Sequence, residues 1–306
     1  MVEKLQKIWV DGELVPWEDA QVHVLTHSLH YGVGAFEGIR CYRRADGKSS
    51  IFRLREHIDR LFDTCRMVLL QPKFTREQVM HACAETLKAN ALDEGYIRPV
   101  VFLGEGAMGI YAPNNPVRTT VIAWKWGAYL GEDALKTGIR AKISSFARHH
   151  INISLAKAKM MGQYTNSVLA KREAKFGGYD EAIMLDAHGY VSEGTGENLF
   201  VVKKGKLLTP DLSSSILEGI TRDTVITLAH DLGLSVQEGR ITRDQLWLAD
   251  EVFLTGTAAE VTPVREVDNR PIGDGTVGPV TKQLQAKFFD VVRGSDNSHS
   301  EWLTAL

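Results

Sequence analysis

The chain has 306 residues, 44% hydrophobic and 24% charged, with a net charge of −2. That balance is ordinary for a water-facing globular protein, and the absence of long single-sign runs argues against a nucleic-acid surface. The length suggests ~2 domains. Cys41, Cys65 and Cys83 are an odd number at wide spacing, which disfavours a disulfide scaffold or zinc ribbon and favours a reducing compartment. No apolar block follows the first seven residues, so no secretory signal is expected. No stretch approaches the ~20 apolar residues of a membrane span, so no membrane partner is expected and the location reads as cytoplasmic.

In chain order, Ile8 to Val15 reads as a hairpin turning at Asp11-Gly12, with Pro16 ending it. His27 to Arg40 holds Gly32, Gly34 and Gly38 among aromatics, a composition that allows tight backbone paths and close approach to a ligand. These glycines lead into a strand, Ile39-Arg40-Cys41-Tyr42, so a dinucleotide-binding turn is rejected. Leu54, Ile58, Leu61, Phe62 and Cys65 form one face of a helix of about four turns, and periodicity alone makes Arg60 a solvated charge. Thr75-Arg76-Glu77-Gln78 is a capping box for a helix burying Val79, Cys83 and Leu87. Tyr96–Leu103 and Thr119–Trp124 read as strands, and Trp126–Glu132 as the linker between domains.

The second half predicts a strand near Ile139 to Phe146 and a helix from about Tyr164 to Phe176 stopped by Gly177-Gly178. Strands follow at Glu181 to Leu185 and Leu199 to Lys203. Thr221 caps a helix whose apolar side is Val225, Ile226, Ala229 and Leu232, with Gly233 past its end. Thr242-Arg243-Asp244-Gln245 is another capping box. Glu251 to Thr255 is a strand running directly into Gly256-Thr257-Ala258-Ala259-Glu260. Strands and helices mix without strict alternation, which favours an α+β fold in two layers over one doubly wound sheet.

The candidate chemistry lies in Ser154–Tyr164 and Gly189–Phe200. A lysine, a carboxylate and a tyrosine suffice to hold pyridoxal phosphate: the amine forms a Schiff base, the carboxylate pairs with the pyridinium nitrogen, and the phenol bonds the ring oxygen. Lys159 sits among Leu155, Ala156, Ala158, Met160 and Met161, where desolvation favours the neutral, attacking amine. Lys157 shares most of that environment, so the residues alone do not separate the two. Glu193 and Glu197 likewise compete for the carboxylate role, and an exposed turn carboxylate is the commoner case. Phosphate needs N–H groups at a helix start, and two places qualify: Gly219-Ile220-Thr221, and Gly256-Thr257 leading into a capping-box pattern. The histidines form no metal pattern, and no G-x-S-x-G elbow is present. A phosphate- or nucleotide-binding module using the same helix starts is the rival from outside enzymes.

With these residues placed, the chain resembles the branched-chain amino-acid aminotransferases among the fold-type IV pyridoxal-phosphate-dependent enzymes, over nearly its whole length. The resemblance rests on His30–Arg40, His57-Ile58-Asp59-Arg60-Leu61, Gly95–Pro99, Ala158-Lys159 to Tyr164, Ser192–Phe200, Gly219–Arg222 and Gly256–Pro263. It implies a smaller N-terminal α/β domain (1–125), an interdomain loop (126–136) and a larger C-terminal cofactor-binding domain (137–306). It implies that Lys159, not Lys157, forms the Schiff base with pyridoxal 5'-phosphate and shuttles the proton. Glu193 then pairs with the pyridine nitrogen and Tyr164 with the ring oxygen. Arg60 holds the phosphate, with Leu217, Gly219, Ile220, Thr221, Gly256 and Thr257 completing the cofactor contacts, which overrides the solvated reading of Arg60. Tyr96 and the backbone at Thr257, Ala258 and Ala259 take the substrate carboxylate, and Arg98 the distal carboxylate of glutamate. Phe36, Trp126, Tyr129 and Tyr164 wall an apolar pocket to which a second subunit lends Tyr31 and Ile110. The smallest active unit is then a homodimer, with a hexamer suggested by bacterial relatives. The implied reaction is reversible amino transfer between leucine, isoleucine or valine and 2-oxoglutarate. A D-amino-acid aminotransferase or aminodeoxychorismate lyase is the alternative on the same scaffold. Met160-Met161 and Gln163 depart from the family's usual smaller residues and asparagine, which bears on pocket width.

Overall fold

The Asp11-Gly12 pair turns the chain as its residue types predict. Both take positive φ, 48° and 109°, and strands Lys7–Val10 and Glu13–Pro16 pair antiparallel across them. The structure is a computed structural model that describes residues 2–127 and 130–306, and of Glu132 the backbone alone. Its contacts divide the chain into two units, Met1–Trp126 with Ala158–Tyr164 and Val291–Leu306, and Gly127–Lys157 with Thr165–Asp290. The short insertion of Ala158–Tyr164 into the first unit matters most, because it carries Lys159 and Tyr164.

The first unit is built on an antiparallel sheet in the order Leu303–Ala305, Ser49–Phe52, Ile39–Arg43, Gly95–Leu103, Val117–Trp124, Lys7–Val10, Glu13–Pro16. Gly34–Phe36 also pairs with Gly95–Leu103. The predicted apolar helix spans Leu54–Met67 and buries Leu54, Ile58, Leu61 and Cys65, with Phe62 half-buried. It packs beside the helix Arg76–Ala89, whose Thr75/Gln78 capping box is complete and whose Val79, Cys83 and Leu87 are buried. One hydrophobic core joins these helices to Ile39, Ile97, Val101, Val121 and Ala123 of the sheet.

The second unit holds a nine-stranded mixed sheet. Its main order is Val191–Gly194, Glu181–Leu185, Ile139–Ile143, Glu260–Val267, Glu251–Gly256, Asn198–Lys203, Lys206–Thr209, Val236–Glu238. Ile139–Ile143 runs parallel to both neighbours, and most other pairs are antiparallel, the mixture an α+β fold needs. The helix Tyr164–Phe176 has the predicted bounds, with Gly177-Gly178 past its end.

Four local readings are corrected. The strand predicted to Phe146 stops at Ile143: the Ser144 N–H still reaches the Ile183 carbonyl, but the Ser145 N–H turns to the Glu173 carboxylate, which Ser144 Oγ also binds. Thr221 does not cap its helix. The element is Ile220–Asp231 with Gly219 at the cap, and Thr221 is buried in the first turn. On that helix Leu228 is fully buried, Ile226 only half, and Leu232 is the C-cap residue, since the core contacts a wider face than the predicted stripe. Thr257-Ala258-Ala259 starts no helix: it is the turn of a hairpin that pairs Gly256 with Glu260, and Glu260 enters its strand at φ 55°. Among the described residues no helix is long and apolar enough to cross a membrane.

Candidate active site

In the first unit the Lys159 run is bound by its backbone. The Phe36 N–H donates to the Lys159 carbonyl (3.2 Å), the Gly162 N–H to the Gly32 carbonyl (3.0 Å), and the Lys159 N–H to Thr64 Oγ1 (3.0 Å). Ala35 and Met160 add a strand-like bridge. This is where the glycine-rich stretch is needed. Gly32 sits at φ 69°, and a Cβ there would lie 2.8 Å from Gly162 Cα. The close approach that the composition suggested for a ligand is therefore made, at this glycine, to the lysine-bearing run.

Lys159 Nζ donates to the Tyr164 hydroxyl at 2.7 Å and lies 5.1 Å from the Phe36 ring centre. Its neighbours in space are thus aromatic, whereas Leu155, a sequence neighbour expected to shelter it, is exposed. Arg60 is not solvated, and the periodicity reading is corrected. Its Nε and Nη2 donate to the two Glu37 oxygens at 2.7 and 2.9 Å, and its side chain is 13% exposed. Glu37 is fully buried and also accepts from His57 Nδ1 (2.7 Å) and the Gly38 N–H (3.2 Å). Burial alone would raise the Glu37 pKa, but Arg60 and His57 outweigh it and hold the carboxyl well below the usual range. Burial opposes the Arg60 charge, and Glu37 overcomes that too, so the guanidinium titrates above its ordinary value. Burial keeps His57 below its ordinary pKa against the pull of Glu37, with Arg60 and Lys159 helping, so His57 is neutral.

Beside this cluster, the Arg98 guanidinium lies 4.7 Å from the Phe36 ring centre, 5.3 Å from Tyr96 and 5.6 Å from Trp124. Nη2 donates to the Tyr96 hydroxyl at 3.3 Å, and Nε is buried with no partner among the described residues. Trp126 meets Tyr96 edge-on at 4.6 Å, and Phe36 meets Tyr164 at 4.9 Å. Tyr31 is 42% exposed and Ile110 93%. Tyr129 lies outside the described residues.

In the second unit Glu193 is not an exposed turn carboxylate. It is buried within the strand Val191–Gly194. Arg148 Nη2 pairs with its Oε1 at 2.8 Å, and Oε2 accepts from Asn198 Nδ2 (3.1 Å) and the Leu217 N–H (3.0 Å). The Leu217 carbonyl in turn accepts from the same Asn198 amide (3.0 Å). Gly219, at the helix start, is required by this network, since a Cβ there would sit 1.8 Å from Asn198 Oδ1. Lys157 turns away to the carbonyls of Leu212 (2.6 Å) and Ile216 (3.0 Å), and burial lowers its pKa. Glu197 is buried on the Gly196 N–H (3.0 Å), beside a Glu181 held by Lys171 and Thr195. Burial, and next the Glu181 charge, push Glu197 up to about 8. Ile220 and Thr221 open the Gly219-capped helix, and Gly256, Thr257, Ala258 and Ala259 form the hairpin turn.

Reading the sequence alone misses Glu37, His57, Thr64, Arg148 and Asn198. Only the His57/Arg60 spacing of three on one helix offers a local signal. Among the described residues no group of three His, Cys, Asp or Glu suits a metal ion. The donor sets do fit parts of pyridoxal phosphate. The first unit has a sheltered amine, a phenol within hydrogen-bond reach and a braced guanidinium, and the second has a buried, triply supported carboxylate, a helix start and a Thr255 hydroxyl without a partner among the described residues.

Residues 34–267 match the family described as Amino-transferase class IV. The branched-chain-amino-acid aminotransferase of Pseudomonas aeruginosa is 51% identical over 306 residues, covering 100% of this chain and 99% of that one. The crystal structure of the Escherichia coli branched-chain amino acid aminotransferase superposes with a TM-score of 0.96 at 46% identity, over 98% of this chain and 99% of that one. The branched-chain amino acid aminotransferase of Thermobaculum terrenum, in its PLP-form, does so with a TM-score of 0.92 at 36% identity, over 98% of each. The chain belongs to the class IV aminotransferase family, the fold-type IV enzymes that work through pyridoxal phosphate.

Proposed function

We propose that the protein is a branched-chain amino-acid aminotransferase, moving the amino group reversibly between L-leucine, L-isoleucine or L-valine and 2-oxoglutarate. The observation that carries the chemistry is the 2.7 Å hydrogen bond between Lys159 Nζ and the Tyr164 hydroxyl, in a run tied down along its backbone. Pyridoxal phosphate, when bound, supplies an electron-withdrawing ring that stabilises the charge left as the substrate loses its α-proton.

Lys159 provides the attaching amine and then takes and returns that proton at Nζ. Tyr164 holds the ring oxygen, and Arg60, braced by Glu37, holds the phosphate together with N–H groups at Ile220-Thr221 and Gly256-Thr257. Glu193, held by Arg148, Asn198 and the Leu217 N–H, pairs with the ring nitrogen, and Leu217 and Gly219 act here through that support. Tyr96 with Thr257, Ala258 and Ala259 receives the substrate carboxylate. Phe36, Trp126, Tyr129 and Tyr164 wall the side-chain pocket. Arg98, a cation ringed by Phe36, Tyr96 and Trp124, allows one apolar pocket to accept both an aliphatic chain and a glutamate carboxylate.

The smallest active assembly in this reading is a cytoplasmic homodimer in which the exposed Tyr31 and Ile110 serve the other subunit, and the dimers associate further into a hexamer. The domain division in this reading is 1–125 and 137–306 about a 126–136 loop, with the contacts of Ala158–Tyr164 and Val291–Leu306 made within the first unit. A steady-state panel of L-leucine, L-isoleucine, L-valine, D-alanine and aminodeoxychorismate tests the reaction, with 2-oxoglutarate as acceptor for the amino acids. Turnover confined to the L-branched-chain substrates is expected, and turnover only of D-alanine or aminodeoxychorismate would refute it. Arg98→Ala should raise KM for glutamate and 2-oxoglutarate by roughly 10- to 100-fold, the loss of a charge-assisted pair, and barely affect leucine. Equal losses on all three substrates would remove the distal-carboxylate role.

A further inference from the structure

The helix Leu54–Met67 carries three polar side chains that its apolar stripe does not need: His57, Arg60 and Thr64. Steps of three and four residues put them on one face. Arg60 and Thr64 are one turn apart, about 6 Å along the axis. Arg60 is gripped by Glu37 through two of its nitrogens, with His57 donating to the same carboxylate. Thr64, fully buried, accepts the Lys159 backbone N–H at 3.0 Å. One helix face therefore touches both the guanidinium assigned to phosphate and the backbone that carries the amine.

We infer that this helix sets the spacing between amine and phosphate anchor, with Thr64 and Glu37 as positioning residues and His57 as the brace of Glu37. The inference rests on the roles assigned above to Lys159 and Arg60. Thr64 acts on the amine through the Lys159 backbone, and Glu37 acts on the phosphate through the plane of the Arg60 guanidinium. The other two backbone bonds of the run use the Lys159 carbonyl and the Gly162 N–H, so neither can satisfy the Lys159 N–H if Thr64 Oγ1 is lost. Thr64→Val keeps shape and removes that acceptor at a fully buried position, leaving the Lys159 N–H unpaired. Glu37→Gln keeps shape but breaks the two-point charged grip, and Arg60 then samples other rotamers.

The test compares holoenzymes of the wild type, Thr64→Val, Thr64→Ser and Glu37→Gln, with pyridoxal phosphate and phosphate-free pyridoxal as probes. Thr64→Val should lower kcat roughly tenfold and shift the pH midpoint of the lysine-dependent absorbance, while Kd for pyridoxal phosphate stays within about threefold; Thr64→Ser should restore both. Glu37→Gln should raise Kd for pyridoxal phosphate roughly tenfold and leave Kd for pyridoxal within about twofold. Glu37→Asp, which keeps the charge at shorter reach, replaces Glu37→Gln if that variant melts below the assay temperature, with the same cofactor-selective loss expected. A Thr64→Val enzyme with wild-type kcat and midpoint overturns the inference, as does a Glu37 variant that weakens both probes equally. A wild type with no Lys159-dependent absorbance refutes the underlying assignment itself and takes the inference with it.

Discussion

The Arg60 cluster of the first unit and the Glu193 cluster of the second solve one problem with opposite signs. Each presents a charge assigned to the cofactor and backs it with a buried counter-charge, Glu37 behind Arg60 and Arg148 behind Glu193. Neither functional charge is buried alone, which would cost several kcal/mol. They differ in what surrounds the pair. The first cluster adds a histidine that burial keeps neutral, so the pair stays balanced. The second adds two more buried carboxyls, Glu181 and Glu197, against one more cation, Lys171. Burial, and next the Glu181 charge, raise Glu197 to about 8, so a proton sits in the second cluster below that pH. The first region is thus held by geometry, and the second is also held by a titration.

The largest effect comes from breaking the first region at its reactive atom. Lys159→Ala removes both the attaching amine and the proton carrier, and kcat should fall roughly 10⁴-fold or more. The visible absorbance that follows addition of pyridoxal phosphate should vanish with it. The backbone bonds to Thr64, Phe36 and Gly32 do not need the side chain, so circular-dichroism melting should change little. A variant that still transaminates near the wild-type rate would make another lysine the catalytic residue.

Breaking the counter-ion of the second region acts first on stability. Arg148→Ala takes the guanidinium from buried Glu193 and leaves the bonds from Asn198 and the Leu217 N–H, and truncating one partner of such a pair costs about 3–5 kcal/mol. Urea unfolding should register that loss. Adding Glu193→Gln to Arg148→Ala should recover much of it, because the buried carboxylate charge that Arg148 compensated is gone, without recovering turnover. If the double variant is as unstable as the single one, the cost lies in lost packing and the charge-pair comparison fails.

Which parts of these clusters were legible in the sequence follows from range. The capping boxes at Thr75 and Thr242 formed as read, because both bonds of a box lie within four residues. The same pattern at Thr257–Glu260 failed, since pairing of Gly256 with Glu260 across a hairpin overrides a local cap. Lys157 and Lys159 are alike in sequence and differ only in space, where one amine meets two carbonyls and the other a phenol. Glu37 lies 20 residues from His57 and 23 from Arg60, beyond any helical spacing, so nothing local announced that grip. Arg148 and Asn198 reach Glu193 from other segments in the same way. The α+β character was readable because apolar periodicity is local, whereas the placing of Ala158–Tyr164 in the first unit needed the glycine-to-glycine contact at Gly32 and Gly162.

The smallest effect sharpens the comparison through pH. Glu197 has no salt bridge among the described residues, and burial together with the Glu181 charge raises its pKa from 4.5 to about 8 in the folded chain. The folded state therefore holds a proton that the unfolded chain releases near 4.5, and stability falls as pH rises across that window and levels off above 8. Glu197→Gln carries no such proton and keeps an acceptor for the Gly196 N–H. It should match the wild type near pH 4.5 and become the more stable of the two by pH 8, by on the order of a few kcal/mol. Glu37→Gln in the first region should show no gain of this kind, because Glu37 is held ionised across the same range and its loss is destabilising throughout. Parallel urea titrations of both variants at pH 5 and pH 8 decide the matter. A Glu197→Gln enzyme equally or less stable than wild type at pH 8 would mean that Glu197 ionises near its ordinary pKa without penalty, and the contrast between a geometric and a titrating cluster would fall.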